Sequence, residues 1–184
     1  VDEHLKVLEH EAKDVTYENT QARMRTMFLM NLANKYGGIV LGTGDLSEIA
    51  LGWMTYNGDQ MSMYAINAGV PKTVVQALVL YHAENNYKQI KDVLKNVYDM
   101  PISPELLENQ KTEDNVGSYE INDFILFHHL DQGHDFNRLS LLVMKAFELN
   151  KEEANQYVDN FMKRFYSQQF KRQTLPEGPK VMSI

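Results

Sequence analysis

The chain has 184 residues, enough for one domain with a sizeable core, and its hydrophobic fraction of 43% and charged fraction of 23% are ordinary for a globular protein. A net charge of -7 argues against a nucleic-acid-binding surface, and no apolar run reaches the length of a membrane span. The sequence contains no cysteine, which excludes disulfides, thiolate metal sites and a cysteine nucleophile, and which fits a cytoplasmic location. The polar residues 1–4 predict no signal peptide.

The first predicted elements alternate between helix and strand. Apolar side chains recur at helical spacing over 17–36, and Gly37 and Gly38 end that helix. The short apolar run 39–41 is typical of a strand buried on both faces. A second helix is predicted over 45–54. This order of elements predicts an α/β fold with a parallel sheet.

The rest of the chain is predicted to be mainly helical. Residues 64–70 form either a short strand or an extended loop, and further helices are predicted at 72–98, 119–131, 136–148 and 151–168. The segment 99–118 is a predicted loop in which Ser103 starts a helical turn, and the proline- and glycine-containing tail from 174 is predicted to be irregular. Two strands do not make a stable parallel sheet. Either the fold is mostly helical, or further strands belong to a preceding part of a longer protein.

Gly42, Thr43 and Gly44 connect the first predicted strand to the next helix. Ligands of open α/β sheets bind beyond the carboxyl ends of the strands, and glycines let a ligand approach the backbone. Thr43 adds a hydroxyl and an N–H at a helix start, where anions are favoured. The alternative is a structural turn, in which Asp45 caps the helix and Glu48 completes a capping box. The motif is not a P-loop, because no Gly-Lys-Ser/Thr follows it.

Polar residues of the first long helix are a second group of candidates. Asn19 and Arg23 lie four residues apart and therefore share one face of the helix, whereas Arg25 points elsewhere. Arginines opposite an apolar stripe are usually only solvated. We expect Arg23 to have a functional role only if its face of the helix borders the glycine turn.

The segment 53–64 combines broad aromatic surfaces with small polar groups. Trp53 and Tyr56 offer rings on which a flat heterocycle can stack, and Thr55 and Asp59 offer polar contacts to a ligand. The structural alternative is core packing around the turn at 57–58.

Two further groups of charged or titratable residues have structural and functional interpretations. Lys171 and Arg172, at a helix end, either stabilise the C-terminus of that helix or form a basic segment that closes over a phosphate-rich ligand. His128 and His129 are adjacent, so they point about 100° apart on a helix and cannot bind one metal as a pair. We expect these histidines to be structural.

Several motifs, in consecutive order, resemble those of NAD synthetases, and the resemblance is closest to the synthetase domain of the glutamine-dependent, multidomain type. They are DVTYENTQARMR, GGIVLGTGDLSEIALGWMTYNGDQMSMYAINAGVPKT, ISPEL, YEINDF and SQQFKR followed by LPEGPKV. The resemblance covers nearly the whole chain. It implies a fragment of a doubly wound parallel-sheet domain of the adenine nucleotide α-hydrolase-like type, mostly helical in the portion present.

The resemblance implies an ATP-dependent ligase. ATP adenylates the nicotinic acid carboxylate of deamido-NAD and releases pyrophosphate, and ammonia then displaces AMP to give NAD. The ammonia would come from glutamine through a glutaminase domain of the same full-length chain. Residues 1–184 contain neither that domain nor the glycine-rich S-G-G-x-D-S loop that grips pyrophosphate in the family. We therefore expect residues 1–184 to be the C-terminal part of the synthetase domain and to be inactive alone.

A different class of function fits the same residues. The chain can be a catalytically silent nucleotide-binding or helical dimerisation module of the same fold. An upstream pyrophosphate loop would favour the ligase. The family also implies a dimer-based homo-oligomer.

The resemblance also implies roles for individual residues and involves no side-chain nucleophile. The residues implied to contact ATP are Thr43, Lys72 and Ser103. The residues implied to bind deamido-NAD are Asn19, Arg23, Glu48, Trp53, Thr55, Tyr56, Asp59 and Lys171, and Glu48 is also the implied ligand of Mg²⁺. Met63 and Phe170 depart from the family pattern, because the short ammonia-dependent enzymes carry an aspartate and a histidine there.

Overall fold

The computed structural model of the chain describes residues 1–102 and 113–181. Its elements, in chain order, are α1 (Asp2–Val7), α2 (Val15–Tyr36), β1 (Leu41–Gly42), α3 (Leu46–Leu51), β2 (Tyr64–Ala65), α4 (Lys72–Asn85), a 3₁₀ turn (Lys88–Ile90), α5 (Lys91–Asp99), α6 (Glu113–Val116), α7 (Tyr119–Leu126), a π-helical turn (Phe127–Asp131), α8 (Phe136–Ala146), α9 (Lys151–Ser167) and α10 (Gln169–Arg172). The predicted helix start at Ser103 and the ATP contact implied for that residue lie outside the described residues.

The long helix α2 confirms the predicted helix over 17–36. It begins at Asp14, whose carboxylate accepts hydrogen bonds from the Thr16 and Tyr17 amides, and it ends at Gly37 in the left-handed conformation. Much of its apolar stripe faces solvent, and the Phe28 side chain is 63% exposed. This surface is large for a helix that packs on one core.

The strands β1 and β2 pair in parallel, with Leu41 opposite Tyr64 and Gly42 opposite Ala65. The expectation that 39–41 is a strand buried on both faces is wrong. The strand begins only at Leu41, and Ile39 and Leu41 are 64% and 52% exposed. Among the described residues the sheet has these two strands, so no third strand covers the other edge of β1.

The helical stretch predicted over 72–98 is helical but interrupted, because two helices and a 3₁₀ turn occupy this range. The break follows Asn85, whose side chain donates to the Tyr81 carbonyl, and the Tyr87 amide returns to the His82 carbonyl at 2.8 Å. Asparagine side chains compete with the helix backbone in this way. The α5 helix then packs back on α4.

The main core is helical and lies between α3, α7, α8 and α9. Its fully buried large side chains are Leu51, Tyr119, Ile125, Leu126, Leu139, Val143, Val158 and Phe161. The helices predicted at 119–131, 136–148 and 151–168 are confirmed, with the first ending in a π-helical turn. None of the helices within the described ranges is long and apolar enough to cross a membrane.

Candidate functional site

The glycine turn leads from β1 into α3, as predicted. Asp45 is the N-cap of α3, and its carboxylate accepts from the Glu48 amide at 3.0 Å. The Glu48 carboxylate accepts in return from the Asp45 amide at 3.2 Å. The capping-box interpretation is thus confirmed, and it leaves Thr43 exposed at the carboxyl end of β1.

Lys72 places one positive charge between two carboxylates. Its Nζ lies 2.6 Å from Asp45 Oδ2 and 2.8 Å from Glu48 Oε1. Only 16% of the Lys72 side chain and 2% of the Asp45 side chain are exposed. The Nζ also lies 5.5 Å from the ring centroid of Tyr119. The group is therefore a largely buried charge cluster directly beside the glycine turn.

The pKa values of Glu48 and Lys72 are both raised, for different reasons. Burial, followed by the negative charge of Asp45, raises the pKa of Glu48, and the nearby Lys72 only partly offsets this. Burial alone would lower the pKa of Lys72, but the charges of Glu48 and Asp45 outweigh it and raise that pKa. The surroundings therefore favour the ammonium form of Lys72 and disfavour the ionised form of Glu48.

A second buried network fixes the start of α4. The Ser47 hydroxyl donates to Asp123 Oδ1 and accepts from the Lys72 amide at 2.8 Å. Asp123 Oδ2 accepts from the Thr73 amide at 2.9 Å and from the Thr73 hydroxyl at 2.8 Å. Burial raises the pKa of Asp123. Side chains from α3 and α7 thus cap α4, whose own N-cap, Pro71, supplies no capping side chain.

The polar face of α2 borders the turn at 55–59 and not the glycine turn. Asn19 Oδ1 accepts from the Thr55 hydroxyl at 2.8 Å, and Arg23 Nε donates to the Tyr56 carbonyl at 3.2 Å. Asp59 closes the turn by accepting from the Thr55 amide at 2.7 Å. The functional interpretation of Arg23 required its helix face to border the glycine turn. Arg23 instead contacts the Tyr56 carbonyl in the 55–59 turn, so that requirement is not met. These predicted residues nevertheless form one group.

The aromatic candidates of this segment are partly covered by other side chains. The guanidinium of Arg164 lies 5.4 Å from the ring centroid of Trp53. Tyr56 packs against Phe170, with 5.4 Å between ring centroids. Arg164 and Phe170 therefore already contact the Trp53 and Tyr56 rings on which a heterocycle was expected to stack.

The basic residues after α9 bind the C-terminal end of α3. Lys171 Nζ donates to the carbonyls of Gly52 and Met54 at 2.7 and 2.6 Å, and Arg172 Nη1 donates to the Ala50 carbonyl at 2.9 Å. Burial, followed by the charge of Arg164, lowers the pKa of Lys171. Cations at helix C-termini are favourable, and here they stabilise α3. Sequence reasoning missed this contact between elements distant in the sequence.

A small cavity separates the two groups of predicted residues. Its volume is about 30 Å³, and Gly42, Glu48, Asp59, Gln60 and Ser62 are among its lining residues. Gln60 Oε1 and Ser62 Oγ are buried there and have no hydrogen-bond partner within the described part of the chain. A Cβ at Gly42 would overlap the Ser62 hydroxyl, which explains this glycine. The cavity holds about two water-sized molecules, so a nucleotide must bind outside it.

The C-terminal tail passes over this cavity. Gln60 Nε2 donates to the Lys171 carbonyl at 3.2 Å and to the Thr174 hydroxyl at 2.7 Å, and the Ala65 amide donates to the Glu177 carbonyl at 2.8 Å. Tail residues from 174 onward are irregular, as predicted, up to 181. The tail is thus attached to the edge of β2 and orients the Gln60 amide.

The described residues do not form a magnesium site by themselves. No group of three or more histidine, aspartate or glutamate side chains suited to a metal ion occurs in residues 1–102 and 113–181. Asp45 and Glu48 do bring two carboxylates together beside the glycine turn, but Lys72 already neutralises part of their charge. His128 stacks against His134, with ring centroids 5.5 Å apart.

Comparisons with known proteins agree on one family. The family model described as NAD synthase matches residues 2–175. The glutamine-dependent NAD(+) synthetase of Mycobacterium leprae is 43% identical over 91% of this chain and 29% of its own length. That of Acinetobacter baylyi is 32% identical over 92% of this chain and 29% of its own length. The chain thus spans under a third of the curated relatives that it matches.

Two solved structures share the fold. A glutamine-dependent NAD(+) synthetase from Cytophaga hutchinsonii superposes with a TM-score of 0.75 at 22% identity, over 96% of this chain and 28% of that one. An NMN synthetase from Francisella tularensis superposes with a TM-score of 0.64 at 24% identity, over 96% of this chain and 60% of that one. These likenesses confirm the predicted fold class, a mostly helical part of an adenine nucleotide α-hydrolase-like domain.

Proposed function

The chain belongs to the NAD synthase family, and from this premise we propose that the full-length protein converts deamido-NAD to NAD in an ATP-dependent reaction. In the first step, a carboxylate oxygen of the nicotinic acid ring attacks the α-phosphorus of ATP, and the bond to pyrophosphate breaks. In the second step, ammonia attacks the carbonyl carbon, AMP leaves, and the nitrogen loses a proton. The supporting observation is the buried Lys72 cluster beside the glycine turn, at the strand end where this fold class binds ligands.

Thr43 and Lys72 form the proposed ATP side of the site, together with Ser103. Thr43 is exposed at the carboxyl end of β1, where its hydroxyl and amide can reach a nucleotide. Lys72 is the proposed cation beside the leaving pyrophosphate, and Asp45 and Glu48 hold its ammonium group in place. A preorganised donor in a partly buried site stabilises charge that develops in the transition state. No side chain of the chain needs to act as a nucleophile.

The group around the 55–59 turn forms the proposed deamido-NAD side. The residues assigned to it are Asn19, Arg23, Glu48, Trp53, Thr55, Tyr56, Asp59 and Lys171. Hydrogen bonds from α2 hold this turn, and Lys171 holds the preceding carbonyls of 52 and 54, so these residues can position the turn as well as contact the dinucleotide. The Glu48 and Asp59 side chains both face the cavity between the two sides.

We propose that Mg²⁺ binds to the site together with the phosphates of ATP. Magnesium in phosphate-transfer sites is usually held by one or two carboxylates together with phosphate oxygens and waters. Glu48 is the proposed carboxylate from the described residues, and the nucleotide would have to provide most of the remaining ligands. No step of the reaction depends on the geometry of that ion.

We assign residues 1–184 to the C-terminal part of the synthetase domain. The pyrophosphate loop and a glutaminase domain that supplies ammonia would lie elsewhere in the full-length chain. The fractions of the relatives that this chain covers, 28% to 29%, support that division. The competing proposal, a catalytically silent nucleotide-binding or dimerisation module, predicts no turnover.

The test is a product assay on the full-length protein with ATP, deamido-NAD and either ammonium or glutamine. We expect NAD, AMP and pyrophosphate in equal amounts. Because an NMN synthetase shares the fold, a parallel reaction offers the deamido form of NMN. Turnover of that mononucleotide alone would contradict the proposed substrate, and absence of turnover with every substrate would favour the silent module.

A further inference from the structure

We infer that Asp123, in the YEINDF motif of α7, is a positioning residue that sets the place of Lys72 in the site. Asp123 does not reach the Lys72 ammonium in the structure. It acts through the backbone at the start of α4, and the inference rests on the ATP-facing role proposed above for Lys72.

Asp123 supplies the side-chain cap that α4 does not have of its own, and this contact places it in a positioning role. Pro71 precedes the helix and offers no capping side chain. Both oxygens of the Asp123 carboxylate are used, one by the Ser47 hydroxyl and the other by the Thr73 amide and hydroxyl. The Lys72 amide donates to the same Ser47 hydroxyl. The buried Asp123 carboxylate thus fixes Thr73 directly, and it fixes the Lys72 backbone through the Ser47 hydroxyl.

A second residue of the motif faces the same cluster. Tyr119 lies one helical turn before Asp123, so both side chains project from one face of α7. The Tyr119 ring packs near the Lys72 ammonium at 5.5 Å from its centroid. The α7 helix therefore acts on Lys72 in two ways: Asp123 fixes its backbone through Ser47 and the neighbouring Thr73, and Tyr119 packs near its ammonium group.

The charge of Asp123 distinguishes positioning from simple packing. A carboxylate accepts from every partner here, whereas an amide of the same shape must turn an N–H toward Ser47 or Thr73. Hydrogen bonds to charged groups are stronger than neutral ones. Asp123→Asn therefore loosens the start of α4 while leaving the surrounding core volume unchanged.

The test compares Asp123→Asn with Asp135→Asn in the full-length protein. Asp135 caps α8 by accepting from the Arg138 amide at 2.9 Å, far along the chain from Lys72. We expect Asp123→Asn to lower kcat/KM for ATP by about 10- to 100-fold, the value of a hydrogen bond to a charged group, with the KM for deamido-NAD little changed. Asp135→Asn should leave both parameters near their original values.

A readout independent of activity is the rate at which acetic anhydride labels Lys72, measured by mass spectrometry. Lys91, which pairs with Glu84 at the other end of α4, is the internal reference for general loosening of the helix. We expect the ratio of Lys72 to Lys91 labelling to rise about 10-fold in Asp123→Asn, because a loosened start of α4 moves Lys72 away from Asp45 and Glu48, whose charges raise its pKa. A fall of one unit in that pKa is tenfold in free amine. A ratio unchanged from the original protein, in a folded variant, would overturn the inference.

Further variants keep the test decisive. If Asp123→Asn does not fold, Ser47→Ala and Thr73→Val remove one partner each and should raise the labelling ratio to a smaller extent; unchanged ratios in both would reject the inference.

Labelling also distinguishes a failure of this inference from a failure of the proposed function. If the original protein forms no NAD, the proposed function fails, and the labelling ratio still reports whether Asp123 positions Lys72.

Discussion

At the scale of single residues, Lys72 holds its ammonium group between two carboxylates that would otherwise lie side by side with little solvent. Asp45 and Glu48 are brought together by the capping box, and Lys72 reaches them from the start of the next long helix. Removing one partner of a buried ion pair leaves the other charge uncompensated. The behaviour of the cluster therefore depends on which of its three charges is removed.

Glu48→Gln should separate the structural role of Glu48 from its proposed ligand role. Glutamine also serves in a capping box, and removal of a carboxylate whose pKa is raised by burial costs little stability, so we expect the melting temperature to change little. In the full-length protein we expect kcat/KM to fall at least ~100-fold, equivalent to about 2.7 kcal/mol of transition-state stabilisation. Thr43→Ala should cost less, since a neutral hydrogen bond is worth about 0.5–1.5 kcal/mol. An unchanged rate in Glu48→Gln would leave Glu48 only its capping role.

Lys72→Met should lower stability in a pH-dependent way. At pH 8 it leaves two buried carboxylates unpaired, and we expect unfolding free energy to fall by about 3–5 kcal/mol. The substitution also removes a charge that lowers the pKa of Glu48, so that pKa rises further above its ordinary value of 4.5. A carboxyl whose folded pKa is raised favours the folded state as pH falls through that pKa.

The loss in Lys72→Met should therefore be smaller at pH 5 than at pH 8. Urea unfolding at the two pH values measures the difference, with Lys91→Met as the control. Lys91 pairs with Glu84 at the surface, so its replacement should have little effect at either pH. An equal loss at both pH values would show that Glu48 does not take up a proton in the variant.

At the scale of elements, the short helix α3 connects the two sides of the site. Its start carries the Lys72 cluster, and its end is held by three cations, Arg164, Lys171 and Arg172, which donate to backbone carbonyls. The helix has only six residues, too few to be stable without tertiary contacts. The short helix α10, which supplies Lys171 and Arg172, therefore affects the site through α3.

Gly52→Ala should be more destabilising than Gly37→Ala, although both glycines end helices in the left-handed conformation, with φ of 61° and 64°. A Cβ at Gly52 would overlap Gln168, whereas a Cβ at Gly37 meets nothing within 4 Å. We expect a loss of roughly 2–4 kcal/mol at Gly52 and roughly 1 kcal/mol at Gly37. Thermal unfolding of the two variants measures this, and equal losses would mean that Gln168, between α9 and α10, is not packed on the end of α3.

Local signals predicted the helices well, and long-range contacts account for what they missed. Periodicity and caps gave α2, α3, α8 and α9 to within a few residues. The break near Asn85 was missed because apolar periodicity continues through it. The burial of 39–41 was overestimated because a strand's burial depends on neighbouring strands.

The candidate site was predicted through resemblance more than through local pattern. Asp45 and Glu48 could be assigned from a capping box alone. The contacts of Asp123 with Ser47 and Thr73 join residues at least fifty positions apart, and no spacing rule predicts them. The YEINDF motif was the only signal for Asp123, as part of a resemblance and without a role.

At the scale of the whole molecule, an apolar surface on α2 and the start of β1 remains open, where Met27, Phe28, Ile39 and Leu41 are exposed. This surface supports the proposals that further strands extend the sheet and that a second copy of the chain packs nearby. Isolated exposed side chains need no explanation, but a continuous apolar stripe usually marks a contact.

Phe28→Glu should weaken self-association of the full-length protein. We propose a dimer-based homo-oligomer in which the exposed stripe of α2 contributes to the interface, and a buried charge without a partner is strongly unfavourable there. Light scattering at micromolar concentrations should show a smaller mass for Phe28→Glu than for the original protein. Tyr36→Glu, an exposed position at the helix end, is the comparison. A monomeric original protein would contradict the proposal.

Residues 1–184 alone should not make NAD, because the proposed pyrophosphate loop lies outside them. A sample whose intact mass matches this chain, supplied with ATP, deamido-NAD and ammonium, should yield no NAD above background. Steady NAD formation by such a sample would contradict the assignment of the chain to one part of the domain.

The most direct measurement of the proposed function follows nitrogen into the product. The full-length protein is incubated with ATP, deamido-NAD and ¹⁵N-labelled ammonium, and the products are identified by mass spectrometry. We expect NAD that carries the label in its carboxamide, together with AMP and pyrophosphate, and a rate at least ~100-fold lower in Glu48→Gln. Unlabelled NAD, or cleavage of ATP to ADP and phosphate with no NAD formed, would contradict the proposed function.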